Sequence, residues 1–259
     1  WSPMFHMAAT DFSLSTIMIG GKVVIQDGLD IDRLCATIGR ESIGWLVAMP
    51  GMIDVLIDGL RRNRTRPLGM RVVGAMADLV PLQQIADLTG LLNAPYINSF
   101  GATETGLAPA SGALLAPGVV PTSLAKRESA FCSLRLVDAD DRDVPLGTPG
   151  EAALRGPTLF SGYWNAPEAN AHDFRGGWFH MGDLFVRRAD GTLDFVDRAK
   201  YLIKSGGENI YPAEIERVLL AEAAVADAAV VRQRDERWGE VPVAFVAFKP
   251  CAAADTQDL

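Results

Sequence analysis

Two short stretches of this sequence stand out by residue type, one able to hold a phosphorylated ligand and one built as a polar pivot and Gly-rich turn. In Ser99-Phe100-Gly101-Ala102-Thr103-Glu104, Gly101 would let a ligand approach the backbone. Thr103 offers a hydroxyl to a phosphate oxygen, and Glu104 offers a carboxylate to a hard cation such as Mg²⁺. As a bare pattern the same residues also describe a turn into a helix cap. The second stretch, Asp197 to Glu216, reads DRAKYLIKSGGENIYPAEIE. Here an acid–base pair, Asp197-Arg198, is followed by Lys200, a Ser205-Gly206-Gly207-Glu208 turn and a helix start at Pro212. Glycine enters positive φ without a steric cost, and Pro212 followed by Glu214 and Glu216 suits the positive end of a helix dipole. A Gly-Gly segment alone also serves as a tight loop. Gly182-Asp183 reads as an exposed turn acid, and His172 and His180 as surface or packing residues. His6 reads either as a packing or helix-start histidine or as a site residue.

The elements around these residues alternate. Lys22–Ile25 predicts a short strand, and Asp30–Gly39 a helix with Asp30 as its cap. Ile43–Ala48 predicts a buried strand, 52–60 a helix, 71–74 a strand, 81–91 a helix and 95–100 a strand. This order implies an α/β fold with a mainly parallel sheet and crossover helices. Ligands then sit beyond the carboxyl ends of the strands, which points to Gly74-Ala75-Met76 and to Ser99–Glu104.

From about Pro117 the strands shorten and the turns carry Pro and Gly. Ser133–Val137 and Ala152–Arg155 predict a hairpin with a long polar loop, 187–192 an Asp-Gly hairpin turn, and Leu193–Arg198 a strand. A small antiparallel barrel or sheet over 117–196 follows, with the aromatics of Phe160–Asn165 as core. Beyond it, a helix over 215–221 and strands over 228–231 and 241–248 begin a small mobile α/β domain, and 232–237 predicts a solvated loop. The expected division is 1–116, 117–197 and 198–259.

At 259 residues, with 49% apolar and 22% charged side chains, the composition is that of a globular protein. Twenty-four basic against 32 acidic residues give −8, which argues against a nucleic-acid surface. No apolar run approaches the roughly 20 residues of a membrane span. Cys35, Cys132 and Cys251 are odd in number and far apart, which fits thiols in a reducing, cytoplasmic setting better than a disulfide framework. No Walker-type phosphate loop is present. The chain starts without Met and stops in CAAADTQDL, so a piece of a longer protein is expected.

The stretch from Asp197 to Glu216 resembles the hinge-and-turn signature of the adenylate-forming superfamily of acyl-CoA synthetases, luciferases and peptide-synthetase adenylation domains. Phe100-Gly101-Ala102-Thr103-Glu104, Phe160-Ser161-Gly162-Tyr163-Trp164-Asn165 and Trp178–Asp183 are similar to three further motifs of that family, met in its order. The resemblance implies that Thr103 binds the α-phosphate of ATP and that Glu104 holds Mg²⁺. It places Gly74 and Ala75 on one side of the adenine, and Asn98, Ser99, Phe100 and Gly101 on the other. Asp183 would accept the ribose hydroxyls, with Arg198 as its partner at ribose or phosphate. Lys200 falls at the hinge, and Ser205, Gly206, Gly207 and Glu208 would swing towards the site. His6, Met7, Met49, Ala102 and Leu107 would line the acid pocket, which suits an apolar fatty, alicyclic or aromatic acid.

The implied reaction has two steps: a carboxylate attacks ATP to give an acyl-adenylate and pyrophosphate, and a thiol then displaces AMP. Ser-Gly-Gly-Glu-Asn-Ile is the turn usual in CoA ligases, whereas carrier-protein loaders typically carry Arg-Gly-x-Arg-Ile-Glu. Coenzyme A is therefore the expected acceptor, alongside ATP, Mg²⁺ and a small carboxylic acid as partners. The alternatives are a carrier-protein loader or a non-catalytic nucleotide-binding fragment. Two family features lie outside these residues: the upstream Ser/Thr/Gly-rich phosphate loop and the downstream catalytic Lys. Position 100 is Phe where many relatives have Tyr, so a role needing that hydroxyl is absent.

Overall fold

The structure, a computed structural model, describes residues 2 and 4–249. The chain divides into two units, Trp1–Leu124 and Ala125–Leu259.

In the first unit, apolar spacing and capping produce the predicted alternation. Helix α1 spans Met7–Met18 and α2 Ile31–Arg40. Asp30 caps α2, its Oδ1 accepting from Arg33 N at 3.0 Å. Strand β1 (Ser42–Leu46), helix α3 (Ile53–Arg62), strand β2 (Gly69–Val73) and helix α4 (Leu82–Leu92) follow. Leu34, Cys35 and Ile38 of α2, Ile53, Leu56, Ile57 and Leu60 of α3, and Ile85, Leu88 and Leu92 of α4 bury one stripe each in a common core. Each such side chain contributes about 1.5–3 kcal/mol. Strands β1 and β2 pair in parallel, Leu46 opposite Val73, and a parallel bridge from Val73 to Tyr96 continues the sheet. The remaining pair is antiparallel: β3 (Ser99–Phe100) with β4 (Ala110–Gly112).

One expectation fails in this unit, and one helix was not expected. Lys22–Ile25 forms no strand: Val24 and Ile25 are exposed, and so short an apolar run has no ladder to join. Helix α1 escapes the periodicity argument because Met7, Ala9, Phe12, Leu14 and Ile17 are spread all around the helix.

The second unit contains an open antiparallel sheet. Its strands are β5 (Lys126–Glu128), β6 (Ser133–Val137), β7 (Pro149–Arg155), β8 (Phe179–Arg187) and β9 (Leu193–Arg198), with the short helix α5 (Pro167–Asp173) between β7 and β8. They lie in the order β5-β9-β8-β7-β6. The β6–β7 hairpin and the Asp190-Gly191 turn between β8 and β9 form as predicted, Thr192 N and Oγ1 both donating to Asp190 Oδ1. The aromatic segment divides. Phe160 packs edge-on to Tyr163 at 4.8 Å and to Phe179 at 5.2 Å, but Trp164 is 98% exposed and not core.

The second sheet of this unit runs β11-β10-β13-β12, from β10 (Ile203–Ser205), β11 (Glu208–Ile210), β12 (Val225–Asp235) and β13 (Gly239–Phe248). Helix α6 (Pro212–Ala221) packs Leu219 with Ile203 and Val230. The expected loop at 232–237 is mostly strand: β12 runs to Asp235, its exposed charged residues pairing with β13 through the backbone. Charge alone does not distinguish an exposed strand from a loop.

Candidate functional site

In the first unit, Gly74 directly follows β2 with φ 113°, and a Cβ there would lie 2.5 Å from the Tyr96 ring. Only glycine allows this aromatic to close under the strand end. Tyr96 is fully buried, its hydroxyl donating to Ala48 O at 3.2 Å, and burial pushes that hydroxyl's pKa up to about 12. Trp45 Nε1 donates to Gly74 O at 3.0 Å, and Phe12 of α1 meets the Trp45 ring edge-on.

The two segments expected to flank an adenine are joined here. Ser99 N donates to Ala75 O at 2.7 Å, and Asn98 Oδ1 accepts from Ala77 N at 2.8 Å. Asn98 Nδ2 donates to Leu124 O at 3.0 Å, so this buried amide is spent on bracing the loop. Ser99 Oγ lies 3.1 Å from Ser111 Oγ, and Phe100 is buried. Beyond β3, 103–105 makes one short 3₁₀ turn. Thr103 is exposed, and Glu104 and Ala102 are half-buried.

Sequence reasoning missed the residue that fixes this turn. Thr105 is buried, its Oγ1 donating to Ala102 O at 2.8 Å and accepting from Ala102 N at 3.1 Å. A threonine two residues after Thr103 was the available signal. Among the acid-pocket residues, Met49 packs against the core, Met7 opens α1, and His6 and Leu107 lie at the surface.

In the second unit, Asp183 is buried on β8, not on an exposed turn. Strand register places it opposite Arg198, whose Nε donates to Asp183 Oδ1 at 3.1 Å. Burial raises the Asp183 pKa to about 6, Arg198 only partly offsetting it. The Arg198 side chain is 52% exposed, which leaves guanidinium N–H groups for a ligand. Asp197 is also buried and accepts from Ala213 N at 2.9 Å, tying the first turn of α6 to β9. Lys200, in a short turn over 199–201, is exposed with its Nζ 4.8 Å from the Tyr201 ring centre. Gly206 and Gly207 have φ of 57° and 92°, as two central residues of a type I′ hairpin require, between Ser205 and Glu208 of β10 and β11. Gly206 N donates to Trp238 O at 2.8 Å.

Among the described residues no cluster of three or more His, Cys, Asp or Glu could enclose a metal ion. One hard carboxylate, Glu104, nevertheless fits Mg²⁺, which is commonly held by one or two carboxylates together with substrate phosphates and water. No helix of the described residues is long and apolar enough to cross a membrane.

Residues 1–164 match the AMP-binding enzyme family, and residues 214–259 match the AMP-binding enzyme C-terminal domain. The chain is 34% identical over 245 residues to indoleacetate–CoA ligase of Aromatoleum aromaticum, covering 94% of this chain and 48% of that protein. It is 33% identical over 271 residues to feruloyl-CoA synthase of Amycolatopsis sp., covering 100% and 52%. Among solved structures, the amide bond synthetase McbA from Marinactinospora thermotolerans superposes with a TM-score of 0.84 at 25% identity, covering 99% of this chain and 53% of that one. The O-succinylbenzoate coenzyme A synthetase MenE from Bacillus subtilis, in complex with ATP and magnesium ion, gives 0.82 at 28%, with 99% and 53% covered. The chain spans about half the length of the curated relatives it matches. With both family models matched in order, the chain belongs to the AMP-binding enzyme family of adenylate-forming proteins.

Proposed function

We propose that the protein carrying this chain is an ATP-dependent acyl-CoA ligase that activates an apolar carboxylic acid through an acyl-adenylate. The observation that carries the reading is Asp183: a carboxylate buried at a cost and kept beside a half-exposed Arg198. Groups desolvated in this way concentrate at functional sites, and a carboxylate can accept both hydroxyls of a ribose. Arg198 would serve the ribose or a phosphate oxygen.

In the first unit, Thr103 would donate to the α-phosphate. Gly74, Ala75, Ser99, Phe100 and Gly101 would wall the adenine with backbone and ring surface, the Asn98 side chain bracing them. Glu104 would hold Mg²⁺, which when bound neutralises charge on the crowded phosphates. Lys200 would act as the hinge, and Ser205–Glu208 as the turn beside which a thiol enters, so that 198–259 moves as a small domain. Indoleacetate and ferulate, named for two relatives, both join one carboxylate to an aromatic body. They support an aryl acid over a fatty or alicyclic one, with His6, Met7, Met49, Ala102 and Leu107 as candidate lining. A cytoplasmic setting suits the free thiols of Cys35 and Cys132.

The test is pyrophosphate release by the longest polypeptide carrying this chain, with ATP, Mg²⁺ and a panel of aryl, fatty and dicarboxylic acids, followed by CoA. Acid-dependent release with a CoA thioester formed is the expected result. Release without thioester moves the acceptor to a carrier protein or an amine. No release with any acid favours a binding-only fragment.

A further inference from the structure

The register of the β7–β8 pair changes abruptly beside Asp183. Glu151 lies opposite Leu184, yet Ala153 lies opposite His180, so Met181, Gly182 and Asp183 bulge against Ala152 alone. A bulge of this size takes backbone amides out of the ladder, and a buried amide without an acceptor is costly. Glu151 supplies the acceptor, its Oε1 receiving Gly182 N–H at 3.0 Å. Its other oxygen, Oε2, accepts from Arg175 Nη2 at 2.9 Å and stands 3.4 Å from His180 Nδ1. Arg175 is itself fixed, Nε donating to both Asp141 oxygens at 2.9 and 3.1 Å, and the His180 side chain is 3% exposed. The Glu151 carboxylate is therefore held from three sides, and it in turn holds the residue before Asp183. Glu151, Arg175 and Asp141 lie outside the family signatures quoted above, whereas His180 and Gly182 lie within one.

We propose that Glu151 is a positioning residue, which fixes the Met181–Asp183 bulge and so sets where the Asp183 carboxylate meets the nucleotide ribose. The proposal rests on the ribose reading of Asp183. It predicts that Glu151 governs discrimination between ribose and deoxyribose without governing the acid. The negative charge of Glu151 also works in the direction of the raised Asp183 pKa.

The experiment compares kcat/KM for ATP with that for 2′-deoxyATP and 3′-deoxyATP in acid-dependent pyrophosphate release. It uses the full-length protein and its Asp183→Ala, Glu151→Ala and Glu151→Gln variants, with melting temperature and KM for the acid recorded alongside. The parent protein should prefer ATP by about tenfold or more, as the loss of a hydrogen bond to a charged group implies. Asp183→Ala should bring that ratio close to one. Glu151→Ala should reduce it severalfold with KM for the acid unchanged. Glu151→Gln, which keeps an acceptor for Gly182 N–H, should lie between, and it decides the matter if the alanine variant does not fold. A Glu151 variant that lowers the melting temperature but retains the full ratio overturns the positioning role. A ratio unmoved in Asp183→Ala overturns the ribose reading beneath it.

Discussion

The candidate residues of the first unit and those of the second are held in place by opposite means. In the first unit the groups proposed to face the ligand, Thr103 and Glu104, stand on a short turn at or near the surface. Their placement comes from backbone braces behind them: Thr105 in the turn, Asn98 under the loop and Tyr96 against Gly74. In the second unit the group itself is buried. Asp183 is held by strand register, by Arg198 and by the bulge amide on Glu151. One region places exposed or half-buried groups by shape; the other keeps a charge where water cannot fully solvate it. Changes in the first should therefore act through packing at any pH, and changes in the second through charge, with a pH signature.

The largest expected effect belongs to the shape-based region. Gly74→Ala introduces a Cβ 2.5 Å from the Tyr96 ring at a φ of 113°, and should cost about 3 kcal/mol or more by thermal or denaturant unfolding. Equal effects at pH 5 and pH 8 are expected, and a pH-dependent loss would blur the contrast.

Asp183→Asn should do the reverse in the charge-based region. The folded-state pKa of Asp183 is raised from 3.8 to about 6, so its contribution to stability is fully present below pH 3.8 and is lost as pH rises through about 6. Removing the ionisable group should thus stabilise the protein at pH 8 by up to about 3 kcal/mol, the gain vanishing below pH 4. A melting-temperature series across that range would read it. The same variant should weaken ATP, which makes Asp183 a site where function costs stability.

Smaller effects sharpen the account of the turn and helix. Thr105→Val keeps the shape but removes both hydrogen bonds to Ala102, and should cost about 1–2 kcal/mol while raising KM for ATP. Asp197→Ala frees Ala213 N–H at the start of α6 and should cost about 1 kcal/mol, measured by chemical denaturation.

What could be read in advance divides along the same line. Helices α2, α3 and α4 were legible because each sets one apolar stripe, and the Gly206-Gly207 and Asp190-Gly191 turns because few residues adopt those conformations. Helix α1 was not, for lack of a stripe, and Lys22–Ile25 carried the composition of a strand without a partner. At the site, the order of Thr103, Glu104, Asp183 and Arg198 was readable as motif. The burial of Asp183 was not, because it depends on a register shift between β7 and β8 that no local pattern encodes. For the same reason Glu151, 32 positions before Asp183, carried no signal in the sequence.

The most direct test of the central claim, that Asp183 works as a buried carboxylate at the nucleotide, is KM for ATP from pH 5 to pH 8. It is measured in the full-length protein and in Asp183→Asn. In the parent, KM should rise about tenfold between pH 7 and pH 5 as the carboxylate takes up its proton near pH 6. In the variant, KM should be raised already at pH 8 and gain nothing further from that proton. Parallel profiles in the two proteins would contradict the account.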